Sequence, residues 1–142
     1  MILPPSITEA IENRELMQKR LGRSGNRVYS VGKDLYLKIS GELPALRRER
    51  DLNLWLEGRL FAPKVAEYAE LEGLGYLLTT KVPGKPACYP QYLREPERLC
   101  DLLAEAVALL HQVDAADCPF LAEGEGQSFV HGDCCLPNIM IF

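Results

Sequence analysis

The chain has 142 residues, 47% of them hydrophobic and 25% charged, which is the size and composition of one globular domain or of two small lobes. Its net charge of −4 argues against a broad basic surface for nucleic acid, and no apolar run approaches the ~20 residues of a membrane span. Five irregularly spaced cysteines, with no secretory segment before them, predict reduced thiols in the cytoplasm.

The first part of the chain predicts a short helix followed by three strands. Ser6–Arg14 begins with a capping-box pattern and is predicted to be helical. Between Glu15 and Ser40, two apolar-rich segments flank Gly22–Gly25, and a turn at Gly32 precedes a third segment, so we expect three antiparallel strands. The glycines around Ser24 suit a plain hairpin loop or a loop whose backbone N–H groups cover nucleotide phosphates.

A lysine and a glutamate form the first functional candidate. Leu35–Ile39 alternates apolar and polar residues, which places Tyr36 and Lys38 on one strand face. Gly41–Gly58 is predicted to be a helix with Glu49 on its apolar side. A charge on such a face is rare unless it is paired, so we predict an ion pair with Lys38. This is the pair that positions ATP phosphates in kinases, whereas an exposed strand face is the simpler alternative.

Two more strands and a long helix follow. Phe61–Glu70 and Leu74–Lys81 are predicted to be strands. A break rich in proline and glycine at Val82–Pro86 suits a hinge between a small lobe and a larger one. Glu97–Val113 repeats leucine and other apolar residues at helical spacing and is predicted to be a helix. These elements predict a sheet of five strands before the hinge.

The segment His131–Asn138 carries the candidate catalytic residues. Asp133 follows a His-Gly pair, and Asn138 comes five positions after Asp133. In kinase catalytic loops this spacing places a carboxylate that accepts the proton of the acceptor hydroxyl and an amide that binds Mg²⁺. The segment is also rich in turn-forming residues, so a surface turn is the alternative. The spacing predicts Asp133 as the catalytic base and Asn138 as a magnesium ligand.

With these features in order, the chain resembles the aminoglycoside 3′-phosphotransferases, kinase-fold enzymes that use ATP to phosphorylate a hydroxyl of aminoglycoside antibiotics. The similarity runs from Glu15 onward in the family's order, and the His-Gly-Asp segment is specific to this class of small-molecule kinase. The matching stretches are Arg27–Tyr29, Leu35–Lys38, Arg48–Asp51, Leu54–Gly58, Leu109–Asp114, Asp117–Pro119 and His131–Asn138.

The resemblance implies an α+β, protein-kinase-like fold. Residues 1–82 would form a nucleotide-binding lobe with a five-stranded antiparallel sheet and one helix. Residues 83–142 would form the hinge and a partial, mainly helical C-terminal lobe with the catalytic loop. ATP and Mg²⁺ would be the cofactors, and an aminoglycoside the substrate. The implied nucleotide-binding residues are Lys38 and Ser24 for the phosphates, Glu49 to orient the lysine, Tyr36 to stack on adenine, and the backbones of Thr80 and Val82 to bind the adenine edge.

The chain departs from the resemblance in two places. It ends before the family's second magnesium-binding aspartate, and it lacks most of the helices that hold the antibiotic. We therefore expect a truncated, internally deleted member that transfers phosphate much more slowly than a full-length relative. An uncovered apolar stripe on the helix at Glu97–Val113 is expected to favour self-association. The alternatives are a non-catalytic nucleotide-binding remnant and a kinase-like enzyme for another small alcohol, such as choline, homoserine or a sugar amine.

Overall fold

The computed structural model of the protein describes residues 2–19, 26–120 and 135–142. The chain divides into two compact units, one within Met1–Glu57 and Ala62–Lys81 and the other within Gly58–Phe61 and Val82–Phe142. The first unit contains α1 Pro5–Ile11, β1 Leu16–Lys19, β2 Arg27–Val31, β3 Leu35–Ser40, α2 Leu43–Leu56, β4 Val65–Leu71 and β5 Leu74–Thr80. The second contains β6 Lys85–Pro86, α3 Pro90–Leu93, α4 Pro96–His111, a 3₁₀ turn at Leu136–Asn138 and β7 Met140–Ile141.

The five strands of the first unit form one antiparallel sheet in the order β1-β2-β3-β5-β4. This confirms the predicted five-stranded antiparallel sheet. The fourth strand begins at Val65, later than the predicted start at Phe61, because Pro63 lacks the N–H that a ladder requires. Since β5 pairs with both β3 and β4, it lies between them.

The N-terminal helix begins differently from the prediction. Its N-cap is Pro4, and no side chain caps it. The predicted capping box at Ser6 is therefore wrong: Pro5, with a backbone already set for a first helical turn, starts the helix and leaves Ser6 inside it. The helix ends at Ile11 because Glu12 has a φ of 52°, which is not a right-handed helical angle.

One face of the sheet packs against α1. Leu35, Leu37 and Ile39, which alternate along β3, are buried in a core that includes Ile7 and Ile11 of α1. The period of two in β3 sends these residues to the same face. The polar residues between them consequently lie on the other face.

The opposite face packs against α2. Leu46 of α2 is buried to 1% exposure, and a Cβ atom at Gly75 of β5 would lie only 2.7 Å from the Cδ2 atom of Leu46. A glycine at this position therefore allows the helix to approach β5 closely. This close packing sets the height of α2 above the sheet face that carries Tyr36 and Lys38.

The second unit is built from helices and a short two-stranded sheet. β6 pairs with β7. Gly84 has a φ of +100°, and a Cβ atom there would collide with the Ile141 carbonyl oxygen. Only glycine fits this conformation and this approach. In α4 the predicted stripe is partly covered: Leu99 and Leu110 are buried, but Leu109 is 52% exposed.

Two further observations concern chemistry and environment. The four cysteines in the described part of the chain are free thiols. Across residues 2–19, 26–120 and 135–142, no helix combines the length and hydrophobicity that a membrane crossing requires.

Candidate functional site

The structure contains the predicted ion pair between β3 and α2. Lys38 Nζ donates to Glu49 Oε2 at 2.5 Å. The two side chains are 29% and 40% exposed, so both remain accessible from solution. A charge-assisted hydrogen bond of this length holds the ammonium in a defined place. The predicted pairing of Lys38 with Glu49 is confirmed as a contact.

Tyr36 shares the sheet face of Lys38 and has an unpredicted cation beside its ring. The Lys81 Nζ atom lies 4.8 Å from the Tyr36 ring centroid. Lys81 also donates to Ser30 Oγ at 2.7 Å and to the Gly32 carbonyl at 3.1 Å. A cation at this distance from an aromatic face is attracted to it. Lys81 is therefore a neighbour of the surface on which adenine is predicted to stack.

The backbone predicted to bind the adenine edge is partly used within the sheet. The Thr80 N–H donates to the Lys64 carbonyl at 2.9 Å, and the Lys64 N–H donates to Thr80 Oγ1 at 2.9 Å. The Thr80 N–H is therefore already used in a hydrogen bond to Lys64, the residue just before β4. Val82 is partly buried and belongs to the second unit.

The predicted catalytic residues are described only in part. Asn138 ends the 3₁₀ turn at Leu136–Asn138, and its N–H donates to the Cys135 carbonyl at 2.9 Å. Asn138 is an exposed residue. Asp133 and Ser24 lie outside the residues that the structure describes, so their predicted roles stay predictions.

A second polar cluster, which the sequence analysis missed, joins α2 to β4. Arg47 makes a two-bond ion pair with Glu70, with Nε and Nη2 at 2.7 and 2.6 Å from the carboxylate oxygens. The Tyr68 hydroxyl donates to the same carboxylate. Arg50 lies over the Tyr68 ring, with its guanidinium carbon 4.5 Å from the centroid, and its Nε donates to Asp51 at 2.6 Å.

In the sequence, these residues are related only by their spacing within each element. Arg47 and Arg50 are three apart on a helix, and Tyr68 and Glu70 are two apart on a strand, so each pair shares a face. Nothing in the sequence indicated that these two faces meet.

The cluster changes the acid–base properties of its members. Hydrogen bonds from Arg47, and then from Tyr68, lower the pKa of Glu70 to about 2. The same contact with Glu70 raises the pKa of Arg47. Burial, followed by the hydrogen bond to Glu70, raises the pKa of Tyr68. The ion pair is therefore fully charged at neutral pH.

We expect this pair to stabilise the protein in a pH-dependent way. Because the pKa of Glu70 is lower in the folded state than its ordinary value of 4.5, its contribution is present above pH 4.5 and is lost as the pH falls towards about 2. The difference in melting temperature between wild type and Glu70→Gln should be constant near neutral pH and shrink below pH 4.5. A difference that grows on acidification would contradict this assignment; the carboxyl carbon-13 shift of Glu70 gives an independent titration.

Comparison with known proteins places these features in a family. Residues 18–128 match the model of the phosphotransferase enzyme family. An aminoglycoside 3′-phosphotransferase of Staphylococcus aureus is 34% identical over 129 residues, which cover 84% of this chain and 49% of the relative. The chain thus spans about half the length of that relative.

Solved structures agree in fold. The aminoglycoside phosphotransferase APH(3″)-Id of Streptomyces rimosus superposes with a TM-score of 0.63 at 27% identity, over 80% of this chain and 43% of that one. A thermostable mutant of APH(4)-Ia, in a ternary complex with ADP and hygromycin B, gives a TM-score of 0.56 at 20% identity, over 77% and 38% of the two chains. The predicted α+β, kinase-like fold is confirmed. With a family match that covers most of its length, this chain belongs to the phosphotransferase enzyme family.

Proposed function

We propose that this chain belongs to an ATP-dependent phosphotransferase that acts on a hydroxyl of an aminoglycoside. The observation that carries the proposal is the ion pair of Lys38 and Glu49 at 2.5 Å, in a chain of the phosphotransferase enzyme family. A strand lysine held by a helix glutamate is the arrangement that kinases use to position ATP phosphates. The names of the matched relatives support an aminoglycoside as the acceptor.

The nucleotide would bind on the sheet face that carries Tyr36 and Lys38. Lys38 would contact the phosphates and Glu49 would keep its ammonium in place. Adenine would stack on Tyr36, close to the Lys81 ammonium, while Ser24 would contact a phosphate. The backbones of Thr80 and Val82 would bind the adenine edge; since the Thr80 N–H is used within the sheet, Thr80 would contribute its carbonyl oxygen. The ADP complex of a structure with the same fold supports nucleotide binding.

The reaction is a displacement at the γ-phosphorus. The antibiotic hydroxyl oxygen forms a bond to phosphorus, the bond from phosphorus to the bridging oxygen breaks, and ADP leaves. Asp133 would accept the hydroxyl proton. Asn138, an exposed residue, would hold Mg²⁺ through its side-chain oxygen, because this hard cation takes oxygen ligands. When bound, the ion would neutralise charge on the phosphates.

The remaining assignments stay proposals. Residues 1–82 would be the nucleotide-binding lobe and residues 83–142 the hinge with a partial C-terminal lobe. The reaction would take place in the cytoplasm, where ATP is supplied. Self-association would use the apolar surface of α4, where Val107 and Leu109 are 36% and 52% exposed.

The test follows the γ-phosphate of radiolabelled ATP into kanamycin, with the 142-residue chain and its Asp133→Ala variant. Labelled product that forms with wild type and disappears with Asp133→Ala is the expected result, because the variant lacks the proton acceptor. ATP binding without product would favour the non-catalytic nucleotide-binding alternative. Product from choline or homoserine but not from kanamycin would favour the kinase for another small alcohol. A chain that neither binds ATP nor transfers phosphate would contradict the proposal.

A further inference from the structure

Two rows of residues cross the sheet beneath α2. Partners that lie opposite one another in antiparallel strands point to the same face, and β5 lies between β3 and β4. The rows are Lys38, Leu77 and Tyr68, and, next to them, Ser40, Gly75 and Glu70. In each row the first residue is on β3, the second on β5 and the third on β4.

α2 packs along the middle of the two rows, where Gly75 and Leu77 of β5 lie. Leu46 packs over Gly75, close enough that a Cβ atom there would be 2.7 Å from it, and Leu77 is fully buried. A cylinder that rests on one line is held in height but can still roll about that line. The hydrophobic driving force is non-directional, so directional contacts on each side of α2 add a restraint on this roll that burial alone does not supply.

Polar contacts hold both sides of this line. Successive residues of an α-helix are about 100° apart, which places Arg47 and Glu49 on opposite sides of Leu46. Glu49 reaches Lys38 on β3, and Arg47 reaches Glu70 on β4 with two hydrogen bonds. The guanidinium of Arg50 stacks over the Tyr68 ring on this second side. If the contacts to β4 were lost, α2 could roll and shift Glu49 away from its position against Lys38.

We propose that Arg47, Arg50, Tyr68 and Glu70, here named the β4 clamp, are positioning residues that stop α2 from rolling and so hold Glu49 against Lys38. The claim that this contact helps to bind phosphate rests on the proposed function. The claim that the β4 clamp holds Glu49 against Lys38 does not. Exposed ion pairs contribute little to global stability. We therefore expect that losing the β4 clamp changes the melting temperature only slightly, and that its main effect is on the position of the Lys38 side chain.

The first experiment needs no nucleotide. Lys38 acetylation by an N-hydroxysuccinimide ester is followed by mass spectrometry, with the exposed Lys33 as internal reference. In Glu70→Gln we expect the Lys38 rate to rise by about twofold to fivefold, the order by which losing an exposed ion pair shifts an equilibrium. Glu49→Gln, which removes the direct partner, should raise it at least as much. A Lys38 rate in Glu70→Gln equal to that of wild type overturns the proposal.

Two further variants separate positioning from a general loss of structure. Arg14→Gln removes another exposed ion pair of the same unit, between Arg14 and Asp34, and should leave the Lys38 rate unchanged. Exchanging the charges in Arg47→Glu with Glu70→Arg should bring the rate back towards that of wild type, since the ion pair is re-formed although Tyr68 loses its acceptor carboxylate. Equal acceleration in Arg14→Gln and Glu70→Gln would show a general loosening and would also overturn the proposal.

The second experiment connects the β4 clamp to the nucleotide. ATP affinity is measured by calorimetry for Glu70→Gln in the wild-type and Lys38→Ala backgrounds. We expect a weakening of about twofold to fivefold when Lys38 is present and no further weakening when it is absent, because the clamp acts through this lysine. Equal weakening in both backgrounds contradicts the proposal. If wild type binds no ATP, the proposed function fails, while the acetylation rates still decide the role of the β4 clamp.

Discussion

Replacing Lys38 by alanine is expected to weaken ATP binding by about tenfold to a hundredfold, the equivalent of losing hydrogen bonds from a charged group worth ~1.5–3 kcal/mol. The ammonium would no longer contact the phosphates, and the Glu49 carboxylate, which now accepts from Lys38 at 2.5 Å, would face them without a partner. Both changes disfavour an anionic ligand. Isothermal calorimetry of ATP or ADP with the purified chain measures the change.

A matched lysine provides the control for this variant. Lys33 is exposed in the turn between β2 and β3, and Lys33→Ala removes the same charge from the same unit without touching the ion pair. We expect its ATP affinity to equal that of wild type. Equal affinities for wild type and Lys38→Ala would show that the phosphates bind elsewhere.

The second prediction with a large expected effect compares substitutions on the two faces of the sheet. Leu77 and Leu78 are adjacent on β5, and both are fully buried, but Leu78 belongs to the core with α1, whereas Leu77 lies in register between Lys38 and Tyr68. Leu77→Ala and Leu78→Ala should each lower the free energy of unfolding by ~2–5 kcal/mol, because each leaves a cavity. Urea unfolding followed by circular dichroism measures this loss.

Nucleotide affinity should separate the two variants. A cavity at Leu77 lies beneath α2 and should disturb the contact of Glu49 with Lys38, so we expect weaker ATP binding in Leu77→Ala. A cavity at Leu78 opens on the face that packs against α1, so its folded fraction should bind ATP as wild type does. The measurement is made at a temperature where both variants are folded. Equal loss of affinity in the two variants would show that sheet stability, not the face, controls binding.

The sequence by itself determined which side of each element carries the candidate phosphate-binding residues. Alternation along β3 places Lys38 opposite the buried face, and helical spacing in α2 places Glu49 beside Leu46. These directions depend only on the repeats of a strand and a helix, which are local properties of the backbone. A charge on the inner side of a helix needs a partner, and this requirement was enough to predict the ion pair with Lys38.

Only the tertiary structure decided which faces meet. The strand order places β4 beyond β5, and this brings Glu70 to Arg47, 23 residues earlier in the chain. The chain path after β5 likewise brings Lys81 to the Tyr36 ring. Periodicity sets the direction of a side chain within its own element, but the register between elements comes from the hydrogen-bond ladders and from the close packing of α2 over Gly75. The β4 clamp is a product of that register, so no local pattern in the sequence could predict it.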